Sequence, residues 1–186
     1  MVITALGEDG LDSLLMGVSE VDLNTSRFFM VMGVSGSGKT RVGKSLAEYL
    51  GWDFYDADDF HPPENVSKMA AGIPLSDSDR APWLAALHEL ISSSLMQDQP
   101  GVLACSALKQ QYRQQLLEGN ADVQIIYLKG SYELIWSRMS TRKDHYMKPH
   151  MLQSQFDVLE EPTSALIIDI SLPADDIVQE ILKRRR

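Results

Sequence analysis

The sequence has little that would direct it to a membrane, an oxidising compartment or a nucleic acid. It contains one cysteine, Cys105, so no disulfide can form within the chain. No apolar run approaches the roughly 18 residues that a bilayer span requires, and no basic segment precedes an apolar stretch at the N-terminus. Lys and Arg number 17 against 26 Asp and Glu, a net charge of −9. We therefore expect a cytoplasmic protein that binds neither membranes nor nucleic acids.

What is present suits one globular domain. The 186 residues are 44% hydrophobic and 23% charged, which is enough apolar material for a sizeable core. Residues 1–26 carry five acidic and no basic side chains, and they are predicted to form an acidic N-terminal extension. Residues 27–186 are predicted to form the folded domain.

In that domain short apolar runs alternate with longer helix-like segments, a pattern typical of a parallel sheet with crossover helices. It predicts an α/β fold with a five-stranded parallel sheet flanked by helices. The predicted strands are Phe28–Met32, Asp53–Asp56, Gly101–Cys105, Val123–Leu128 and Ala165–Ile170. The predicted helices are Lys39–Leu50, Pro63–Ala71, Asp79–Met96, Ala107–Glu118, Tyr132–Thr141, Pro149–Leu159 and Ala174–Lys183.

The strongest motif lies between the first strand and the first helix. It is a full match to the P-loop pattern G-x-x-x-x-G-K-[ST], and its glycines let backbone N–H groups surround a phosphate. Lys39 is expected to contact the β- and γ-phosphates of ATP, and the Thr40 hydroxyl to ligate Mg²⁺. A Gly/Ser-rich helix cap would not require Lys and Thr at these positions. The predicted ATP-binding residues are Gly33, Val34, Ser35, Gly36, Ser37, Gly38, Lys39 and Thr40.

Acidic residues follow the second predicted strand, at the sheet edge where open α/β sheets bind ligands. A hydroxyl that attacks a γ-phosphoryl group needs a proton acceptor, and we assign that role to Asp58. Asp56 has two alternative roles, either holding the following helix in place or belonging to the coordination shell of Mg²⁺. Alternatively, these carboxylates only stabilise a turn and the start of the next helix, where Asp is common. His61 either hydrogen-bonds a polyhydroxylated acceptor or stabilises the loop.

Several further blocks resemble the gluconokinase family. They are Asp56-Ala57-Asp58-Asp59-Phe60-His61-Pro62, Asn65-Val66-Ser67-Lys68-Met69, the segment 72–84 with its Asp79-Arg80-Ala81-Pro82-Trp83, Cys105–Arg113, and Ser154-Gln155-Phe156 with the residues up to Pro162. The resemblance covers about residues 28–185. It implies phosphorylation of D-gluconate at its 6-hydroxyl with ATP and Mg²⁺, a fold similar to shikimate and nucleoside monophosphate kinases, and a homodimer.

Basic residues are the candidates for holding the carboxylate of such an acceptor. Lys109 and Arg113 are four apart on a predicted helix, and Arg80 opens another helix within the acceptor-binding region, about residues 58–97. Arginine pairs with a carboxylate through two parallel hydrogen bonds. The alternative is that these cations are solvated or paired with acids on the helix surface. We expect Arg80, Lys109 and Arg113, together with His61 and Asp58, to contact the acceptor.

A lid is predicted at about residues 138–157. Arg138 and Arg142 are four apart near the end of a predicted helix, so both can face the transferring phosphoryl group. The alternative is that they cap the helix C-terminus, and both uses can coexist. The P-loop, the acidic turn and the lid arginines predict a small-molecule kinase, and the resemblance to gluconokinases implies that its acceptor is gluconate. The rival interpretations are a shikimate or nucleoside monophosphate type of kinase, and a non-enzymatic ATP-binding switch.

Overall fold

The computed structural model describes residues 26–141 and 149–185. Its centre is a five-stranded parallel sheet with the order β2-β3-β1-β4-β5. The strands are β1 (Phe28–Met32), β2 (Asp53–Asp56), β3 (Gly101–Ala104), β4 (Val123–Lys129) and β5 (Leu166–Asp169). The predicted fold class is confirmed, and the bounds of β1 and β2 coincide with the predicted ones.

Seven helices connect or flank these strands in the described part of the chain. They are α1 (Lys39–Leu50), α2 (Pro63–Ala70), α3 (Asp77–Met96), α4 (Gln110–Leu117), α5 (Tyr132–Ser140), α6 (Pro149–Asp157) and α7 (Ala174–Lys183). A short 3-10 turn, Ala57–Phe60, follows β2 directly. None of the described helices is long and apolar enough to cross a membrane.

Strand β1 lies at the centre of the sheet and separates two hydrophobic cores. All five of its side chains are fully buried. Phe29 and Val31 pack into the core formed with α1, α5, α6 and α7, whereas Phe28, Met30 and Met32 pack into the core formed with α3 and α4. This alternation is what a strand covered on both faces requires. The loop after β1 is therefore fixed to the most buried strand of the sheet.

Two helices begin elsewhere than predicted, for local reasons. Helix α3 begins at Asp77 because Ser76 and Asp79 form a reciprocal capping box, in which each side chain accepts a backbone N–H. Helix α4 begins at Gln110 rather than Ala107 because Ala107 has a φ of 40° and Lys109 is extended. The first N–H of α4 is bound by the Glu160 carboxylate.

The predicted division separates an N-terminal extension, residues 1–26, from a folded domain, residues 27–186, and nearly all of the extension lies outside the described residues. Residues 1–25 lie outside them, so the extension stays a prediction.

Candidate active site

The loop between β1 and α1 has a backbone that only glycine adopts easily. Gly33, Gly36 and Gly38 have φ values of 148°, 82° and 98°. A Cβ on Gly33 would lie 2.8 Å from Ser37 Oγ and 2.9 Å from the Leu128 carbonyl oxygen. A Cβ on Gly36 would lie 2.5 Å from Met139 Sδ. The motif therefore forms a tight loop that is packed against β4 and α5.

This loop has the donors and the space expected of a phosphate cradle. Gly38 precedes α1 and offers no side-chain cap, so the first-turn amides of α1 are available to an anion. Ser37 is 2% exposed, and its hydroxyl is buried with no hydrogen-bond partner among the described residues. A buried hydroxyl normally has a partner. These residues fit the phosphates of a nucleotide.

Lys39 points back into the loop. Its Nζ donates to the Val34 carbonyl oxygen at 3.1 Å. Burial lowers the pKa of Lys39, and this effect is opposed by nearby charges, of which Asp58 acts more strongly than Asp56. The ammonium group and the Asp58 carboxylate are therefore within electrostatic reach of each other. The charge of Asp58 therefore acts on Lys39, although the sequence assigns the two residues to opposite sides of the reaction.

Asp56 joins the phosphate loop to the acidic turn. Its Oδ2 accepts the Thr40 hydroxyl at 2.9 Å, and its Oδ1 accepts the Asp58 N–H at 3.2 Å as the cap of the 3-10 turn. A hydroxyl and a carboxylate are oxygen ligands of the kind that Mg²⁺ prefers, with phosphate oxygens and water completing the shell. No group of three or more His, Cys, Asp or Glu side chains that could hold a metal exists among the described residues. A magnesium ion held jointly with phosphates does not need one.

The turn that carries Asp58 is held by Trp83 of α3. The indole Nε1 donates to the Ala57 carbonyl oxygen at 2.7 Å, and the indole ring stacks on His61 at 4.6 Å between centroids. Burial lowers the pKa of His61, whose Nδ1 is buried without a partner in the described structure. Trp83 is not among the site residues that the sequence predicts. The signal available was that a buried indole N–H needs an acceptor.

The predicted acceptor cations Arg80 and Lys109 meet around one ring. The Arg80 guanidinium and the Lys109 ammonium lie 5.8 and 5.4 Å from the centroid of Tyr112. Arg80 donates to the Leu75 carbonyl oxygen, and its charge helps to lower the pKa of His61. Lys109 is bound to Asp77 at 2.8 Å, which holds the pKa of that carboxyl at about 2. Arg80 is therefore next to His61, and Lys109 is neutralised by an acid.

Arg113, the third predicted acceptor cation, lies buried against the loop after β3, and its contact with the acceptor stays a prediction. It is 5% exposed, and its Nη1 donates to the carbonyl oxygens of Ala107 and Leu108, both at 2.9 Å. Burial lowers the pKa of Arg113. The Arg113 side chain lines an open groove of about 750 Å³ whose lining residues include none from the phosphate loop or the acidic turn. Because its guanidinium is bound to the loop after β3, Arg113 supports the backbone beside Lys109 and is not grouped with Arg80.

The structure describes only one of the two arginines that are predicted to belong to the lid. Arg138 is partly buried on α5, and its charge acts on Asp169 at the end of β5. Arg142 lies outside the described residues. The lid assignment of the pair stays a prediction.

Comparison with known proteins identifies relatives over most of the chain. A family model described as shikimate kinase matches residues 35–184. The probable gluconokinase of Mus musculus is 47% identical over 166 residues, covering 77% of this chain and 90% of the relative. The thermoresistant gluconokinase of Escherichia coli (strain K12) is 42% identical over 163 residues, covering 84% of this chain and 93% of the relative.

A solved structure agrees with these relatives. The crystal structure of a gluconokinase from Sinorhizobium meliloti 1021 superposes with a TM-score of 0.78 at 41% identity, covering 88% of this chain and 92% of that one. The resemblance that the sequence motifs indicated is confirmed. The chain belongs to the gluconokinase family, within the shikimate kinase type of P-loop kinases.

Proposed function

We propose that this protein transfers the γ-phosphoryl group of ATP to the 6-hydroxyl of D-gluconate, giving 6-phosphogluconate and ADP. The relatives named gluconokinases support the acceptor. The observation that carries the chemistry is the double contact of Asp56, which accepts the Thr40 hydroxyl at 2.9 Å and the Asp58 N–H at 3.2 Å and so joins the phosphate loop to the turn that carries the proposed base. Phosphoryl transfer needs a cation at the phosphates and a base at the alcohol, and this contact supports that assignment for Lys39 and Asp58.

The nucleotide side is built from the phosphate loop. The amides of the loop and of the first turn of α1 bind the phosphates, and Lys39 Nζ leaves the Val34 carbonyl for the β- and γ-phosphates. Thr40 would hold a magnesium ion, with Asp56 next to it as the acceptor of the Thr40 hydroxyl. When bound, Mg²⁺ neutralises charge on the phosphate oxygens.

The acceptor side is built from the 3-10 turn and the start of α3. Asp58 is exposed at the turn and accepts the proton of the attacking hydroxyl. His61, with its lowered pKa, is neutral near pH 7 and presents a hydrogen-bonding group to a sugar hydroxyl. Arg80 provides positive charge for the gluconate carboxylate, and Lys109 contributes to it by exchanging its bond to Asp77 for one to the substrate. Arg113 acts on this side only through the loop that carries Lys109.

Three further features stay predictions. Arg138 and Arg142 are proposed to close over the γ-phosphate and exclude water, which would otherwise act as an acceptor. A homodimer and a cytoplasmic location are proposed on the family resemblance and on the composition.

The decisive experiment measures ADP release from MgATP by the purified protein, with and without gluconate. We expect release that depends on gluconate and is not supported by shikimate or nucleoside monophosphates. Lys39→Ala, checked for folding by circular dichroism, should lower turnover by several orders of magnitude. Turnover with shikimate or a nucleoside monophosphate as the acceptor, and none with gluconate, would assign a different kinase activity. Binding of ATP without turnover on any of these acceptors would indicate a nucleotide-dependent switch.

A further inference from the structure

A side-chain contact joins α6 to the phosphate loop across 120 residues of sequence. Gln155 Oε1 accepts the Ser35 backbone N–H at 2.7 Å, and Gln155 Nε2 donates to Ser35 Oγ at 3.0 Å. The carboxamide therefore binds one loop residue through both of its ends. None of the roles proposed above uses Gln155.

The phosphate loop is the segment that gains most from such a contact. Its glycines at positions 33, 36 and 38 have positive φ values, and glycine-rich backbone has a large conformational freedom that must be lost when a ligand binds. A contact that holds Ser35 in place removes part of that loss before the nucleotide arrives. The Ser35 N–H is occupied by Gln155, so the phosphates are left to the amides that follow it.

Helix α6 is itself fixed on both sides of Gln155. Leu152 is fully buried in the same core as Val34 of the loop and Met139 of α5. Phe156 packs edge-on against Tyr132 at 5.8 Å between ring centroids. Gln155 therefore extends from a packed helix and not from a free surface.

The chain after α6 continues to the acceptor side. The Glu160 N–H donates to the Leu108 carbonyl oxygen at 2.9 Å, and the Glu160 carboxylate binds the N–H of Gln110. Leu108 precedes Lys109, one of the proposed acceptor cations. The segment 155–160 thus has one end on the phosphate loop and the other on the loop after β3.

We propose that Gln155 is a positioning residue that holds the phosphate loop in its nucleotide-binding conformation and ties that conformation to α6. The kinetic test of this proposal rests on the proposed function, because it measures turnover with gluconate. A second test measures nucleotide binding alone and does not depend on that function. Gln155 touches neither the reacting atoms nor the acceptor. Its loss should weaken binding of ATP while leaving the acceptor site intact.

The test replaces Gln155 with leucine, which has a similar size and cannot hydrogen-bond. Without these two hydrogen bonds the binding conformation of the loop is less populated, so the KM for ATP and the dissociation constant for a non-hydrolysable ATP analogue should both rise about tenfold. The KM for gluconate should stay within about twofold. The matched control is Gln153→Leu on the same helix, because Gln153 is exposed and its amide contacts Asp157. It should change neither constant.

A double-mutant cycle separates this contact from a general loss of packing. Ser35→Ala removes the Oγ partner and should raise the analogue's dissociation constant by a smaller factor. In the Gln155→Leu background the same change should have no further effect, since the partner is already gone. Independent, multiplicative effects would overturn the proposal, as would an unchanged analogue affinity in Gln155→Leu or equal increases in both Michaelis constants.

Two measurements keep the test decisive if a variant does not fold or if gluconate is not the acceptor. In the unmodified protein without nucleotide, the Ser35 amide should be protected from hydrogen exchange by its bond to Gln155. Exchange at the rate of an open loop would overturn the proposal that Gln155 holds the loop. Analogue binding needs no acceptor. Failure of the unmodified protein to phosphorylate gluconate would therefore refute the proposed function, while the binding comparison would still decide the role of Gln155.

Discussion

Replacing Trp83 with phenylalanine tests how the acidic turn is held. Phenylalanine keeps an aromatic ring next to His61 and loses the indole N–H that binds the Ala57 carbonyl at 2.7 Å. Ala57 is 1% exposed, so its carbonyl would lose its indole donor in a place that water does not reach easily. An unsatisfied buried acceptor costs about 1–3 kcal/mol, and the smaller ring adds a cavity term, so we expect a loss of about 2–3 kcal/mol in unfolding free energy.

The same change should reach the chemistry, because Asp58 is the next residue after Ala57. A displacement of a reacting group by about 1 Å lowers rates by up to about a hundredfold, and a loosened turn should lower kcat by about tenfold with little change in the KM for ATP. Urea unfolding followed by circular dichroism gives the stability, and ADP release at saturating substrates gives kcat.

The control is Trp52→Phe. Trp52 is partly buried, and its ring lies tilted against Phe29 in the other core, at 5.0 Å between ring centroids. Its replacement should lower stability and leave kcat unchanged wherever the protein is folded. A Trp83→Phe variant that loses stability with a normal kcat would refute the positioning role, and one that loses neither would refute the energetic reasoning as well.

Three other predictions concern the charges of the site. Asp58→Asn should lower kcat by at least about a hundredfold with little effect on ATP affinity, as general-base catalysis contributes roughly 10²–10⁴-fold; single-turnover kinetics and ATP titration separate the two effects, and an equal loss in both would contradict the base assignment. Because burial lowers the pKa of Lys39 and the charged form binds phosphate, kcat/KM for ATP should fall as pH rises through a value below the ordinary 10.5; a profile flat to that pH would contradict it. Lys109→Met should raise the pKa of Asp77 from about 2 toward 3.8. The wild-type protein loses the stability contributed by Asp77 as the pH falls from 3.8 to about 2, because a carboxyl group with a lowered pKa stabilises the fold fully only above that interval. The variant should therefore lose less stability over the same pH range. An unchanged titration of the Asp77 carboxyl by NMR would show that Tyr112 and Gln111 alone keep its pKa low.

The fold was predictable from the sequence because its signals are local. The apolar run of β1, the P-loop glycines and the amphipathic face of α7 gave element bounds that the structure repeats. The start of α3 was missed by two residues, although Ser76 and Asp79 have the spacing of a capping box. The start of α4 was missed because a positive φ at Ala107 is not encoded by that residue type.

The site was predictable where one residue type has one use, and less so where a side chain has several. Lys39 and Thr40 follow from the P-loop pattern, and Asp58 from its position at a strand end. Arg113 has the same spacing and charge as a ligand-binding cation, yet it is bound to two carbonyl groups of its own loop. Gln155 and Ser35 are 120 residues apart, and no periodicity connects them. Contacts of this kind arise from the packing of α6 on the sheet, which a one-dimensional pattern does not contain.

The nucleotide side and the acceptor side of the site start from strands at different places in the sheet. The phosphate loop starts from β1, which is bonded to β3 and β4 and is fully buried, whereas the acidic turn starts from β2 at the edge, whose side chains are all at least partly exposed. Amide exchange is slowest in central, buried strands and faster at sheet edges. We therefore expect local opening to cost less free energy in β2 and the acidic turn than in β1, and amide exchange to be faster on the acceptor side than on the nucleotide side.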